Sequence, residues 1–185
     1  MFRSGRFNFY LAIVASGLLF AGCQSEKSKR DKEATMFQLH METGPNAGRG
    51  SLMVNIGRTN QQFSIYVEMD SFIGGDYLDE ANLIDSADGN FAIRLKFDTR
   101  GAMILQSKTS SNPGRRVAVE CSFGKEEGQH RWIAAPIVRR PITDGIFIFT
   151  PQVTHEEAER IVRGLNNIAK QYRKDNSFLK DDSFP

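Results

Sequence analysis

Few side chains in this sequence could do covalent or acid–base chemistry: two cysteines, three histidines and a scatter of carboxylates. Cys121 alternates with Val117, Val119 and Phe123. Period two puts such residues on one face of a strand, so the thiol is expected in the core, where it behaves as a small hydrophobe rather than a nucleophile. His40 falls with Gln38 and Glu42 on the polar side of an alternating segment, His130 lies in a charged turn, and His155 in the first turn of a helix. None has ligand spacing: four residues after His155 stands Glu159, not the second histidine of a helical zinc site. All three are expected at the surface, with no metal and no cofactor. The acid pairs Asp79-Glu80 and Asp181-Asp182 are adjacent in sequence and need not converge. The glycine-rich stretch 44–50 lacks a lysine-serine ending and joins two strands. A phosphate cradle needs a helix N-terminus behind it, so a hairpin loop is expected there. Arg139 and Arg140 make a basic step before Pro141, either a solvated turn or a contact point for a partner. With no catalytic constellation, the expectation is a protein that is not an enzyme.

Cys23 has a different setting. Residues 1–6 carry Arg3 and Arg6 with no acid, and residues 9–20 form a twelve-residue apolar run. A basic start, a short apolar core and small residues before a cut are the parts of a secretory signal, and about 20 apolar residues are needed to span a bilayer. The string Leu19-Phe20-Ala21-Gly22-Cys23 resembles the lipobox of bacterial lipoproteins, with Phe20 where leucine is usual. That resemblance implies cleavage after residue 22, a diacylglycerol on the Cys23 thiol and a third acyl chain on the freed amine. Each buried CH₂ contributes about 0.8 kcal/mol, and two lipid signals already give stable anchoring. Gln24, a residue other than Asp in the next position, goes with delivery to the outer membrane rather than the inner in such proteins. The expected location is the cell envelope, lipid-anchored on the periplasmic face. Cys121 is then left without a disulfide partner. Losing residues 1–22 removes two arginines and no acid, which brings Lys+Arg from 24 to 22, equal to Asp+Glu at 22. That balance gives no electrostatic case for nucleic acid.

Other elements must supply the body. Residues 24–35 hold seven charged residues and no large apolar one, so residues 23–35 are expected as a flexible tether. Residues 37–41, 52–56 and 63–69 alternate apolar with polar and predict a three-strand meander over 36–71, with turns at 44–50 and 57–61. Ile93, Leu95 and Phe97 predict another strand, followed by a short helix capped at Asp98 or Thr99. A one-faced strand over 117–123, a charged turn over 124–129 and a strand broken by Pro136 and Pro141 come next. The apolar run 146–150 predicts a central strand covered on both sides. Thr154 and Glu157 form a capping box, and Ala158, Ile161, Val162, Leu165, Ile168, Ala169 and Tyr172 fall on one helical stripe. The fold class is therefore α+β. An antiparallel or mixed sheet carries a short helix and a longer C-terminal amphipathic helix, in a single domain over 36–173 with a polar tail at 174–185.

The segment 132–165 carries Ala134-Ala135-Pro136-Ile137-Val138-Arg139, then Pro141-Ile142-Thr143 and Gly145, then Thr154, Glu156, Glu157 and Ala158 opening the helix. It resembles the head part of the first periplasmic domain of SecD, the accessory subunit of the bacterial protein-export translocase. Ala135, Pro136, Pro141, Ile142, Thr143 and Gly145 are the motif positions. Residues 76–81, 91–102 and 114–119 extend the likeness backward, so that 72–173 is the head-like part. Asp144 and Arg140 depart from the family pattern, and residues 125–129 lengthen a turn.

The resemblance implies a non-enzymatic, membrane-tethered binding module. It would contact exported polypeptides or the translocase, with the bilayer as partner through acylated Cys23 and a protein or peptide partner near Arg139 and Arg140. The alternative is a structural or regulatory envelope lipoprotein that uses the same fold for an unrelated partner, since fold does not fix function. Cys23→Ser is expected to abolish metabolic labelling with radioactive palmitate and to release a soluble or uncleaved form. Labelling equal to that of the unaltered chain would contradict the anchor.

Overall fold

The computed structural model describes residues 30, 33–45, 47–57, 62–123 and 130–181. The expected signal, Cys23, most of the tether, the turns at 58–61 and 124–129 and the last four residues lie outside the described residues. The unit that begins at Ala34 contains β1 (Met36–Thr43), β2 (Ser51–Ile56), β3 (Phe63–Glu68), β4 (Ile73–Gly74), β5 (Leu78–Asp85), β6 (Phe91–Phe97), α1 (Thr99–Ser111), β7 (Val117–Ser122), β8 (His130–Ala134), β9 (Ile146–Phe149) and α2 (His155–Asp181). One sheet runs β2-β3-β1-β7-β8, with β4 added to β1, and a second runs β5-β6-β9. Every pairing is antiparallel. The α+β class holds, with a short helix and a longer C-terminal one.

Alternation along each strand fixes which core it serves. Phe37, Leu39 and Met41 on β1, with Val117, Val119 and Cys121 on β7 and Ile133 on β8, face a main core. They meet there Ile93, Leu95, Phe97, Phe147 and Phe149 from the second sheet, and Ala158, Ile161, Leu165 and Ala169 from α2. The opposite face of the β1-β7-β8 layer is also covered. Val54, Ile56, Ile65 and Val67 on the β2–β3 hairpin pack there on Ala118 and Ala135, with Trp132 against them. The burial of β1 records the overlap: residues alternate exposed and buried up to Leu39, and then His40 and Met41 are both buried.

The helices are held by their caps and by one amide. Asp98 accepts the Gly101 N–H at 2.7 Å to start α1. Thr154 and Glu157 close the expected capping box: the Glu157 N–H donates to Thr154 Oγ1 at 3.1 Å, and the Thr154 N–H to Glu157 Oε2 at 2.8 Å. Further along α2, the Asn166 side chain accepts the Ala81 N–H at 3.0 Å and donates to the Ala81 carbonyl at 2.8 Å. One side-chain amide thus imitates a neighbouring peptide and occupies the outer edge of β5. Where α2 crosses the start of the fold, a Cβ on Gly164 would stand 2.8 Å from the Thr35 backbone nitrogen. Only glycine leaves room for that crossing.

Several expectations change. The first three strands do not follow one another across the sheet as a meander does. Instead β1 lies between β3 and β7, so the loop 44–50 joins strands that are not neighbours and is not a hairpin loop. The run 146–149 is a terminal strand, not a central one, and Ile148 is 52% exposed. Strand β5 lacks clean alternation, so side-chain periodicity gives no sign of it. Thr35, expected in the tether, is buried. The last helix continues to Asp181, into the segment expected as a polar tail.

The motif glycine has a structural reason. Gly145 has φ +68, and a Cβ there would lie 2.7 Å from Ala102 Cβ on α1. Gly114 has φ +77 with open space around it. Gly145→Ala is therefore expected to cost about 2–4 kcal/mol, strain and overlap together, while Gly114→Ala costs only about 1 kcal/mol of strain. Urea midpoints of the two variants check this, and equal losses would contradict the overlap.

Candidate functional site

Strands β2 and β8 end the first sheet on its two sides, yet both border one open cleft of about 550 Å³. Asn55, Gly57 and Gln62 line it from the hairpin, His130, Arg131 and Trp132 from β8, and Thr154 and Glu157 from the start of α2. Sheet pairing stops at this gap for a local reason: the hairpin turns its apolar side down onto Ala118, Ala135 and Trp132, which sets it as a second layer over the strands to which it is joined. The Trp132 ring is half-buried and meets the His40 ring edge-on, with centroids 5.0 Å apart. Arg131 donates to Glu157 Oε1 at 2.8 Å and stacks over the Phe123 ring at 5.6 Å, so one wall of the cleft is braced to the helix start.

Other edges are less available. At Ala81 the outer edge of β5 is occupied by the Asn166 amide, and the Gln152 N–H donates to the Ile133 carbonyl at 2.6 Å, which covers part of β8 beyond Trp132. A smaller cleft of about 420 Å³ near α2 holds Asp79, whose carboxylate is already paired with Lys96 at 2.8 Å and Arg173 at 3.0 Å. Those two cations hold the Asp79 carboxyl below its usual range, Lys96 contributing most.

The residues singled out in the sequence divide into separate groups. Arg139 and Arg140 are exposed. The chain before them continues the β7–β8 pairing through Val117 N–H to the Pro136 carbonyl at 3.0 Å and Val138 N–H to the Arg115 carbonyl at 2.9 Å. They stand with exposed Ile137 at the far end of that track and do not reach the cleft. Ala135 lies in the second core, and Gly145 lies against α1. The Ile142 N–H donates to buried Thr109 Oγ1 at 3.0 Å. Pro136 is half-buried, and Pro141 and Thr143 are exposed beside these anchors. Cys121 is buried as expected, and burial, with the adjacent Glu120 charge, pushes its thiol far up, away from thiolate chemistry.

The histidines require a correction. His155 is half-exposed and paired with Asp85 at 2.8 Å, and the His130 side chain is 66% exposed. His40 is only 4% exposed, because the hairpin covers the face that alternation marks as polar. The cleft residues Asn55, Gln62 and Trp132 carry no motif. The one sequence hint was a lone tryptophan in a strand, which core packing explains equally well.

Among the described residues no helix is long and apolar enough to cross a membrane. Two antiparallel sheets, one split into layers, with a capped helix closing the core, define an α+β head module. The model of the SecDF P1 head subdomain matches residues 51–167, more than half of the chain, and the chain belongs to that family. A solved structure described as a membrane component SecDF that enhances protein export is similar in fold. Its TM-score is 0.53 at 16% identity, over 78% of this chain and 67% of that one. The crystal structure of SecDF in a super-membrane-facing form matches with TM-score 0.54 at 17% identity, over 78% of this chain and 20% of that one. This chain thus corresponds to about a fifth of the latter's length. No curated protein sequence matches.

Glu157 links the cleft to stability. Burial pushes its carboxyl up, but hydrogen bonds from Thr154 and the Arg131 guanidinium outweigh that and hold it below the ordinary value of 4.5. A depressed carboxyl stabilises the fold above its unfolded value, and that contribution is lost as pH falls through the folded one. Glu157→Gln keeps the capping geometry and removes the charge. Its stability at neutral pH is expected to fall by about 1 kcal/mol. The gap to the unaltered chain should close on acidification from pH ~5 to pH ~3, measured by urea midpoints.

Proposed function

We propose that this chain is a lipid-tethered envelope module of the protein-export apparatus that holds polypeptide in extended form along the cleft between β2 and β8. The observation that carries this reading is the pair of terminal strands that border one cleft without pairing. An unpaired strand edge accepts an extended backbone by main-chain hydrogen bonds, and side chains lining the groove add preference. Trp132 offers an apolar face with low conformational cost, and Asn55, Gln62 and His130 offer donors and acceptors to a backbone. The SecDF relative described as enhancing protein export supports the biological setting.

In this reading the acyl chains on Cys23 hold the module to the periplasmic face of a membrane, the outer one in keeping with Gln24 after the cysteine, and residues 23–34 act as its tether. Arg139 and Arg140, with exposed Ile137, form a second contact for a protein of the export apparatus. Their separation from the cleft lets the module touch client and apparatus together.

Trp132 is the one tryptophan in the chain, so its fluorescence reports the cleft directly. A permanently unfolded, carboxymethylated protein is expected to shift Trp132 emission saturably. Binding of the same labelled protein, followed by anisotropy, should weaken about tenfold or more in Trp132→Ala. Photocrosslinking from position 139 in live cells should recover export components. Absence of a saturable shift, together with crosslinks only to cell-wall or outer-membrane proteins, would replace this reading with that of a structural envelope lipoprotein.

A further inference from the structure

Strand β1 changes neighbours along one edge. It pairs with β4 at Gln38 and Leu39 and with β3 at Glu42 and Thr43, and His40 stands at the fork between them. There the imidazole replaces the missing backbone pairing: Nδ1 lies 2.9 Å from the carbonyl oxygen of Glu68 at the end of β3. A carbonyl only accepts, so Nδ1 carries the hydrogen of that bond, and Nε2 is bare unless the ring is charged. Nε2 is buried and makes no hydrogen bond among the described residues. It faces a carboxylate, with Oε2 of Glu120 on β7 at 3.6 Å. The other oxygen of that carboxylate is 3.6 Å from Nδ1 of His130 on β8. A lone pair opposite a carboxylate in a buried layer is unfavourable, and one proton from solvent turns Nε2 into the donor of a charge-assisted hydrogen bond.

We infer that His40 is a proton-operated clasp: a proton on Nε2 joins the ring to Glu120 while Nδ1 holds β3, so that acid tightens the β2–β3 hairpin onto the β1-β7-β8 layer. Few charged groups share this layer among the described residues. Glu120 comes from β7 and His130 from β8. Glu68 on β3 presents its backbone to the ring, and its carboxylate pairs with Lys108 at 3.0 Å. Glu42 on β1 accepts the Arg116 N–H at 2.8 Å, the Arg116 guanidinium donates to the Ala135 carbonyl at 3.0 Å, and β2 has no titratable side chain. With Glu120 opposite, the closed hairpin keeps this proton to higher pH than the open one, where the ring meets only water, and the opening constant rises with pH between those two points, by at most about tenfold per unit. Because the hairpin forms one wall of the cleft, polypeptide capture would tighten in acid, a consequence that rests on the reading proposed above.

The test needs no polypeptide. On the full chain, NMR of the histidine ring nitrogens from pH about 5 to 8 follows His40, and amide exchange compares β2–β3 with β5–β6. His40 is expected to pass from the neutral Nδ1–H form to the imidazolium as pH falls, with rising protection confined to the hairpin. Glu120→Gln puts an amide donor opposite the neutral ring, and the pH dependence should shrink to less than about twofold over the range. His40→Gln should do the same, and His130→Gln should keep the dependence. If His40→Gln does not fold, Glu120→Gln decides, since that side chain is 22% exposed. A ring that stays neutral down to the acid limit, or an undiminished dependence in Glu120→Gln, overturns the inference. Failure of polypeptide capture alone leaves these readouts unchanged and counts only against the binding reading.

Discussion

Strand β1 has to satisfy more neighbours than a single strand edge can serve. One edge pairs along its length with β7, from Met36↔Ser122 to Met41↔Val117. The other is divided between β4 and β3. The division lets the β2–β3 hairpin leave the plane of the sheet and lie over it, which creates a second core beneath Val54, Ile56, Ile65 and Val67. Both faces of the β1-β7-β8 layer are then buried, and a polar residue at the fork must find partners inside the protein. The cleft, the buried histidine and the separation of β2 from β8 all follow from that division.

The residues that mark the family are largely those that hold this arrangement. Ala135 is small where the hairpin comes down. Ile142 is tied by its backbone to Thr109, whose hydroxyl also donates to the Leu105 carbonyl at 2.7 Å. Gly145 admits α1 at a distance that a side chain would forbid. They describe how a broken strand is fastened to a helix, which is a packing requirement. Surface that could meet other molecules lies elsewhere, in the cleft behind β8 and on the exposed turn at Arg139 and Arg140.

Edges are managed unevenly in this fold. The Asn166 amide covers β5 at Ala81, and the segment after β9 covers part of β8, while β2 and the start of β8 are left beside a cleft. An open edge invites pairing with other chains, so an edge recessed in a groove is a compromise between solubility and the capacity to accept an extended segment.

Much of the architecture was legible because it rests on local rules. The stripe from Ala158 to Ala169, the Thr154–Glu157 box, the Asp98 cap and the inward Cys121 follow from side-chain periodicity and backbone donors needing partners, and all are observed. The motif of residues 134–145 also brought out the family without any view of the fold. What the chain could not express locally was which strand lies beside which. Alternation assigns His40 to a polar face, but it does not say whether solvent or another layer covers that face. It marks 146–149 as apolar without saying whether a further strand follows. It misses β5, whose partner on one side is a side-chain amide 85 residues away. Pairing order and layering depend on long-range burial, so only the tertiary structure decided that a histidine would be enclosed opposite a carboxylate and that two terminal strands would share one cleft.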